Sequence, residues 1–483
     1  MRALTLLLAL LLPASALPRR RAKQTASVGG LRSTPAANGT WLTPSSYWPQ
    51  PQSVQAGSGA CYHLPASTKI TVTGFTTDVT AAAATRFEQV FFAYGGAKTQ
   101  APPAALASLA NITVSIATPD SRLRFGIDES YTLSVANGEA VITANTSFGA
   151  IWALETLSQT ITRKFSANAK GALNASWYEI CDIDIVDAPR FPYRALLIDT
   201  SRHYITVPAI KEVISMMSYL KLNGLHLHAT DTQSWPLYIS SRPEISNASA
   251  YSPLHMFYPA DLAELIAYGR ARGVVVYPEV DFPAHGAEIL KASYPGITCD
   301  SCGLFDPLYP GLWDILRDIY TAMDEVFPPE YPFHMGGDEV DRGAWASCPN
   351  VTAWAAASNG RYVPDDITKW FELELFTLLS DETKGLNRTV IAWEDVGAGL
   401  IDGNWSNVPQ KLILEQWDGS PGVWNWDTCV PLQQNGSVII AGPFHIADTP
   451  ANNYVDLFNV TCLTPRVEQQ IYGPELCVAP SAP

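Results

Sequence analysis

Apolar and polar positions in the second half of the chain repeat one rhythm. "ALLID" (195–199) precedes the helical run "PAIKEVISMMSYLKL", and "GLHLHATD" (224–231) precedes "ADLAELIAYGRARG". "VVVYPEVD" (274–281) precedes "GLWDILRDIYTAMDEVF", and "YPFHMGGDE" precedes "DITKWFELELFTLL". "TVIAWED" (389–395), "KLILEQW" (411–417) and "SVIIAG" (437–442) continue the strand series. Short strands alternating with helices imply parallel β/α units. Seven in a row predict an α/β fold of (β/α)8 (TIM) barrel type rather than an open sheet. An eighth unit is not found: the tail after Ala447 carries no convincing strand and helix.

The first half reads differently. "KITVTGF", "ITVSIAT", "SYTLSVANG" and "EAVITANT" are strand-like, and Asn137-Gly138 between two of them is a hairpin signal. In "SFGAIWALETLSQTI" (147–161), Ile151, Leu154, Leu157 and Ile161 fall at helical spacing. A smaller α+β domain over 61–186 is expected, ending at the turn-rich "DAPRFPYR", with the barrel over 187–483 and divergent after about 440. Residues 17–60, rich in Pro, Ser, Ala and Gly, read as a leader or pro-segment.

Composition narrows the class. The 483 residues allow two or three domains. A formal net charge of −15 argues against nucleic acid, whose phosphates need a basic face. Neither GxxxxGK followed by Ser or Thr, nor GxGxxG, HExxH or an EF-hand loop occurs, so no cofactor is expected. Residues 1–16, with one basic residue, the apolar run Leu4–Leu12 and Ala14-Ser15-Ala16, have the pattern of a signal peptide. Arg19-Arg20-Arg21 offers a processing site. No later run of 18 apolar residues follows, so a secreted protein without a membrane span is expected. Ten Asn-x-Ser/Thr sequons, from Asn38 to Asn459, agree with export. So do eight Cys, an even set suited to disulfides. Cys299 and Cys302 have the spacing of half a zinc site, but no second half completes it. No metal is expected, and a disulfide from Cys299 or Cys302 to Cys348 is the preferred reading. A homodimer is left open.

Polar residues cluster where the strands end. Asp199 and Arg202 follow the first barrel strand; His228 and Asp231 the second; Glu279, Asp281 and His285 the third. Asp338 and Glu339 end the fourth in "YPFHMGGDEVDRG", Trp393, Glu394 and Asp395 the fifth, Glu415 and Trp417 the sixth. Barrel chemistry sits at that rim, and an acidic rim with indoles suits glycosides: carboxylates do acid/base work and aromatic faces stack on sugar rings. Fourteen Trp allow some to line a ligand site, although core packing accounts for them equally well.

"FHMGGDEV" (333–340) resembles the catalytic motif of the family 20 glycoside hydrolases, the β-N-acetylhexosaminidases. The resemblance extends through "YRALLIDTSRHY", "KLNGLHLHATDTQSWPL", "YSPLHMFYPADL", "ARGVVVYPEVDFPAHGAEI", "AWEDV" and "LEQWDG", dense from Tyr193 to Gly419. It implies an exo-acting enzyme that removes terminal N-acetylglucosamine or N-acetylgalactosamine from chitooligosaccharides or glycans, with the substrate's own acetamido oxygen as nucleophile. By the same resemblance Glu339 is general acid and then base, and Asp338 holds the acetamido N–H. Arg202 binds sugar hydroxyls; its other reading is a salt bridge to Asp199. Asp231 and His285 form a pair behind Glu339, Glu279 supports them, and Trp393 and Trp417 wall the acetamido pocket. His226 and His228 read as core or strand-end residues, His228 being the nearer to the site.

Two departures stand out. Where the family carries Trp-Tyr-Leu-Asp, this chain has "AGPFHIAD", placing His445 or Phe444 in the Tyr position. The family's last segment, with Gly-Gly-Glu and Trp-x-Glu, is not found. The alternative is therefore a catalytically weak sugar-binding relative that keeps only part of the pocket.

Overall fold

The computed structural model describes residues 47–65, 67–93, 106–167, 173–299, 303–358, 364–400, 409–416 and 439–441. The signal peptide, most of the leader, Trp417, His445 and Cys302 lie outside the described residues.

The N-terminal domain is a mixed sheet. Its strands are β1 (Ser53–Leu64), β2 (Ile70–Gly74), β3 (Asn111–Ile116), β4 (Tyr131–Ala136), β5 (Glu139–Ala144), β6 (Thr162–Ala167) and β7 (Leu173–Asp187). They pair in the order β1-β7-β4-β5-β3-β2, with β6 also on β7. The expected boundary at residue 60/61 falls inside β1. Ser53 to Ala56 pair with Val186 to Ile183, and these backbone bonds hold a segment whose small, polar composition resembles a leader. Asn137 and Gly138, at φ +53° and +78°, make the β4–β5 hairpin turn. The helix Ser147–Thr160 starts at Thr146, whose hydroxyl accepts from the Phe148 and Gly149 amides. The helix Asp78–Ala93 and the strands β6 and β7 carry no sequence expectation, whereas the start of β1 lies in the segment read as a leader.

The second domain contains the seven strands read from the sequence: β8 (Ala195–Asp199), β9 (Gly224–His228), β10 (Val275–Glu279), β11 (Phe333–His334), β12 (Val390–Trp393), β13 (Leu412–Gln416) and β14 (Ile439–Ala441). Each pairs in parallel with the next in sequence, β8 through β14. Helices cross between them; Leu312–Asp324, for example, buries Leu312, Ile315, Leu316, Ile319, Tyr320 and Met323, one stripe at helical spacing.

Two buried polar networks join the domains. Glu129 accepts from the Trp152 indole at 2.7 Å and takes the Arg194 guanidinium in a fork at 2.7 and 3.0 Å. The Lys221 ammonium contacts Tyr131 and Thr156 at 2.7 Å and Asp187 at 3.0 Å. Breaking one partner of such a buried pair leaves an uncompensated charge, which costs about 3–5 kcal/mol. Cys61–Cys181 ties β1 to β7, and Cys299–Cys348 braces two rim loops, choosing Cys299 of the two candidates. Among the described residues no helix is long and apolar enough to cross a membrane.

Candidate active site

Parallel register determines which side chains share the barrel interior. Asp199 pairs with His228, His228 with Glu279, and Glu279 with His334; Trp393 pairs with Glu415. Register partners in neighbouring strands point to the same face, so these residues line the same interior as His226 and Tyr277, two positions earlier. The interior is polar. His226 stacks on Tyr277 at 5.0 Å and lies 4.5 Å from His334, centroid to centroid. Glu279, fully buried, is reached by His228 Nδ1 at 2.7 Å, His226 Nε2 at 2.8 Å and the Trp393 indole N–H at 2.7 Å. Burial opposes its ionisation, but the charges of His228, His334 and His226 outweigh that, and its pKa is held well below the usual range. At Glu415, burial and the charge of Glu279 outweigh that of His226, and its pKa is pushed up to about 7.

Above this layer stands His285, opening the short helix His285–Ile289. Its Nδ1 is 3.4 Å from Asp231 Oδ2; its Nε2 is 3.4 Å from Glu339 Oε2, 3.7 Å from Asp338 Oδ2 and 3.9 Å from Asp281 Oδ2. Burial lowers the pKa of the imidazole, but the Asp231 hydrogen bond and the charges of Asp338 and Asp231 prevail, and it is raised. Asp231 also meets His228 Nε2 at 3.0 Å and the Arg202 guanidinium at 2.7 Å. Arg202 reaches Asp199 at 2.8 Å as well, so the salt bridge offered as its other reading is formed.

Two neighbouring acids would face opposite sides if the strand continued through them. It does not: β11 ends at His334, and Gly336, Gly337 and Glu339 take φ of +69°, +94° and +53°. Only glycine adopts the first two conformations without strain. A Cβ at Gly336 would lie 2.0 Å from Asp281 Oδ1, and one at Gly337 2.3 Å from Val396 Cγ2. The left-handed turn brings both carboxylates beside His285, with Glu339 exposed and Asp338 half-buried. Asp338 Oδ1 is buried and has no hydrogen-bond partner among the described residues.

Asp281 holds this turn from below. Its Oδ1 accepts the Gly337 amide at 2.8 Å, and its other oxygen belongs to a group with His285 and Asp338 whose facing atoms lie within 4.8 Å of one another. Burial and the charges of Asp338 and Glu279 raise its pKa well above the usual range. That of Asp338 is raised too, by burial and by Glu279. Two carboxyls this close attract only with a proton between them. Sequence reasoning put Asp281 at the rim without a role; its spacing of four from His285 was the available signal.

The structure thus brings together Asp338, Glu339, His285, Asp231 and Arg202. Trp393 is at the same rim, its amide donating to Gly336 O, but only 8% of it is exposed and its indole packs on His334 toward the barrel interior. His226, His334 and Glu415, and separately His228, Glu279 and Asp281, gather donor atoms of metal-binding type within 4.8 Å. Glu279 already serves two histidines and an indole, and the second group reads as a hydrogen-bonded support for the rim.

A parallel β/α sheet of barrel type with an acid pair at its strand ends is compatible with glycoside chemistry, and comparison specifies the family. Residues 191–444 match the catalytic domain of glycosyl hydrolase family 20, and residues 47–160 match the domain described as beta-acetyl hexosaminidase like. The chain belongs to glycosyl hydrolase family 20. It is 32% identical over 329 residues to a beta-hexosaminidase of Emericella nidulans, an alignment covering 64% of this chain and 52% of that one. It is 35% identical over 304 residues to the chitooligosaccharidolytic beta-N-acetylglucosaminidase of Bombyx mori, covering 59% and 49%. The Flavobacterium johnsoniae chitobiase structure shares the fold, with a TM-score of 0.66 at 23% identity over 82% of this chain and 58% of that one. The chain spans about half the length of the curated relatives it matches.

Proposed function

We propose that the chain is an exo-acting β-N-acetylhexosaminidase that removes terminal, non-reducing N-acetylglucosamine or N-acetylgalactosamine from chitooligosaccharides or glycans with retention. The observation that carries this reading is the unpartnered, buried Asp338 Oδ1 beside an exposed Glu339, both gathered on His285.

Glu339 gives its proton to the glycosidic oxygen as the bond from C1 to that oxygen breaks. The 2-acetamido carbonyl oxygen bonds to C1 from the other face, giving an oxazolinium-type intermediate. Asp338 Oδ1 accepts the acetamido N–H and stabilises the positive charge that develops there. Water then attacks C1 and gives a proton to Glu339, restoring the acetamido group. The two acids serve different atoms of one sugar, which is why they can be adjacent. His285, held by Asp231, steadies the Glu339 carboxylate while its proton is on the leaving group, and Arg202 offers its remaining N–H groups to sugar hydroxyls. Trp393 is assigned to the acetamido pocket, and the family resemblance adds Trp417 and His445 as sugar-binding residues. The two disulfides and the relatives' oligosaccharide-cleaving names support work outside the cytosol, in the secretory pathway or beyond it.

The test is release of 4-nitrophenol from 4-nitrophenyl N-acetyl-β-glucosaminide. Glu339→Gln is expected to lower kcat by at least about 100-fold, the lower end of positioned acid/base catalysis, and Asp338→Asn to lower it strongly with folding intact. Sugar binding without turnover in the unaltered chain would sink the proposal and favour a sugar-binding relative.

A further inference from the structure

A cavity of about 690 Å³ opens away from the acid pair, none of whose residues line it. Its walls are the N-terminal-domain helix Asp78–Ala93, the end of the barrel helix Val207–Tyr219 and the end of the helix Pro259–Arg270. The last two run directly into β9 and β10, so the cavity sits where barrel strands begin, at the opposite end from the rim. Two arginines face it. Arg86 is half-buried and donates to the Ala271 carbonyl at 3.3 Å. Arg272 donates to the Tyr268 carbonyl at 3.3 Å and lies 3.4 Å over the Tyr268 ring. Gln89, Thr85 and Ser215 add an amide and two hydroxyls to the lining.

Neither arginine forms a carboxylate ion pair among the described residues, although the surrounding acids do pair. Asp78 holds Arg270 at 2.5 Å, Glu88 holds Lys69 at 2.6 Å, and Glu264 holds Lys211 at 2.7 Å. Glu155, the remaining carboxylate that feels both arginines, is pushed up to about 7 by burial and so offers little negative charge in mildly acid solution. Arg86 is shifted down by burial and by the charge of Arg272, which outweigh the opposing pull of Glu155. Guanidinium groups present planar forks of N–H donors that match an oxyanion, and such charge-assisted bonds are about twice as strong as neutral ones. In a chain of net charge −15, a partly desolvated positive site whose two guanidinium groups form no carboxylate ion pair among the described residues suits an external anion.

We propose that this cavity is a binding site for an oxyanion, phosphate or sulfate, either free or esterified to a small molecule, held by Arg86 and Arg272. The site is independent of the hydrolytic reading. The test uses the full chain, titrated with inorganic phosphate and with glucose 6-phosphate at ionic strength balanced by chloride, followed by calorimetry and thermal unfolding. Saturable one-site binding and a raised Tm are expected, weakened about tenfold or more in Arg86→Gln and Arg272→Gln. Both variants are expected to keep the circular-dichroism spectrum and the basal hydrolysis rate of the unaltered chain. Above pH 7, where Glu155 ionises, Glu155→Gln removes the carboxylate that acts on both arginines and should tighten binding. Tighter binding of the ester assigns the site to a phosphorylated molecule; tighter binding of inorganic phosphate assigns it to the free ion. Absence of saturable binding by the unaltered chain, or undiminished affinity in both arginine variants, overturns the proposal. If the arginine variants do not fold, unchanged affinity in Glu155→Gln overturns it instead.

Discussion

Replacing Asp281 by Asn separates two accounts of how the acid pair is held. Asp281 is buried, accepts the Gly337 amide at 2.8 Å and faces Asp338 with atoms within 4.8 Å. If it were ionised, it would oppose ionisation of Asp338 by about 3.5 kcal/mol, from 332/(εr) at 4.8 Å and an effective dielectric of about 20. Removing that charge would make Asp338 a stronger acid and move the acidic limb of kcat/KM toward lower pH by ~2.5 pH units. If Asp281 carries the shared proton, as its raised pKa indicates, Asn is a close mimic: its oxygen still accepts from Gly337 and its NH2 still donates toward Asp338. The expected outcome is therefore an acidic limb that moves by less than about half a pH unit, with kcat within a few-fold of the parent. Asp281→Ala should instead leave the buried Gly337 amide unpaired, costing about 1–3 kcal/mol of stability. Positions of both rim carboxyls would loosen with it, and a displacement of about 1 Å in the proposed acid/base pair costs on the order of 100-fold in rate. The assay is nitrophenol release between pH 3 and 8 with unfolding measured in parallel. A downward move of the acidic limb by two pH units in Asp281→Asn would refute the protonated assignment.

Two further outcomes test the frame around the site. Gly337→Ala should destabilise the chain by about 2–4 kcal/mol, from a left-handed φ plus overpacking against Val396; adding Val396→Ala should recover the steric part only, and full recovery or none in urea unfolding would contradict that division. Glu415, pushed up to about 7, keeps its proton in the folded chain while the unfolded chain loses it near the ordinary value of 4.5. Its contribution is thus intact below pH 4.5 and is lost as pH rises through 7, to the extent of ~3 kcal/mol. Glu415→Gln should flatten this fall when denaturation midpoints at pH 4.5 and 7.5 are compared, and an unchanged slope would remove Glu415 as its source.

The alternation of short apolar runs and helical stripes was sufficient to place all seven barrel strands, because a parallel strand or an amphipathic helix writes its burial into a local period. The rim acids, Arg202 and the motif around Gly336 and Gly337 were legible too, since strand ends follow from strand positions. The start of β1 was not legible: Ser53–Ala56 is held by its partner in β7, 130 residues away, and its own composition resembles a leader. Nor was the lean of Trp393 toward Glu279, or the role of Asp281. Those depend on which side chains from separate strands share one buried row, and on whose charge the burial suppresses. Local patterning determined the elements and the inventory of acids at the rim. Only the tertiary structure decided that His285 stands between Asp231 and the acid pair, and that two arginines from different domains line one cavity with neither in a carboxylate ion pair among the described residues, because distance and desolvation arise when elements pack together.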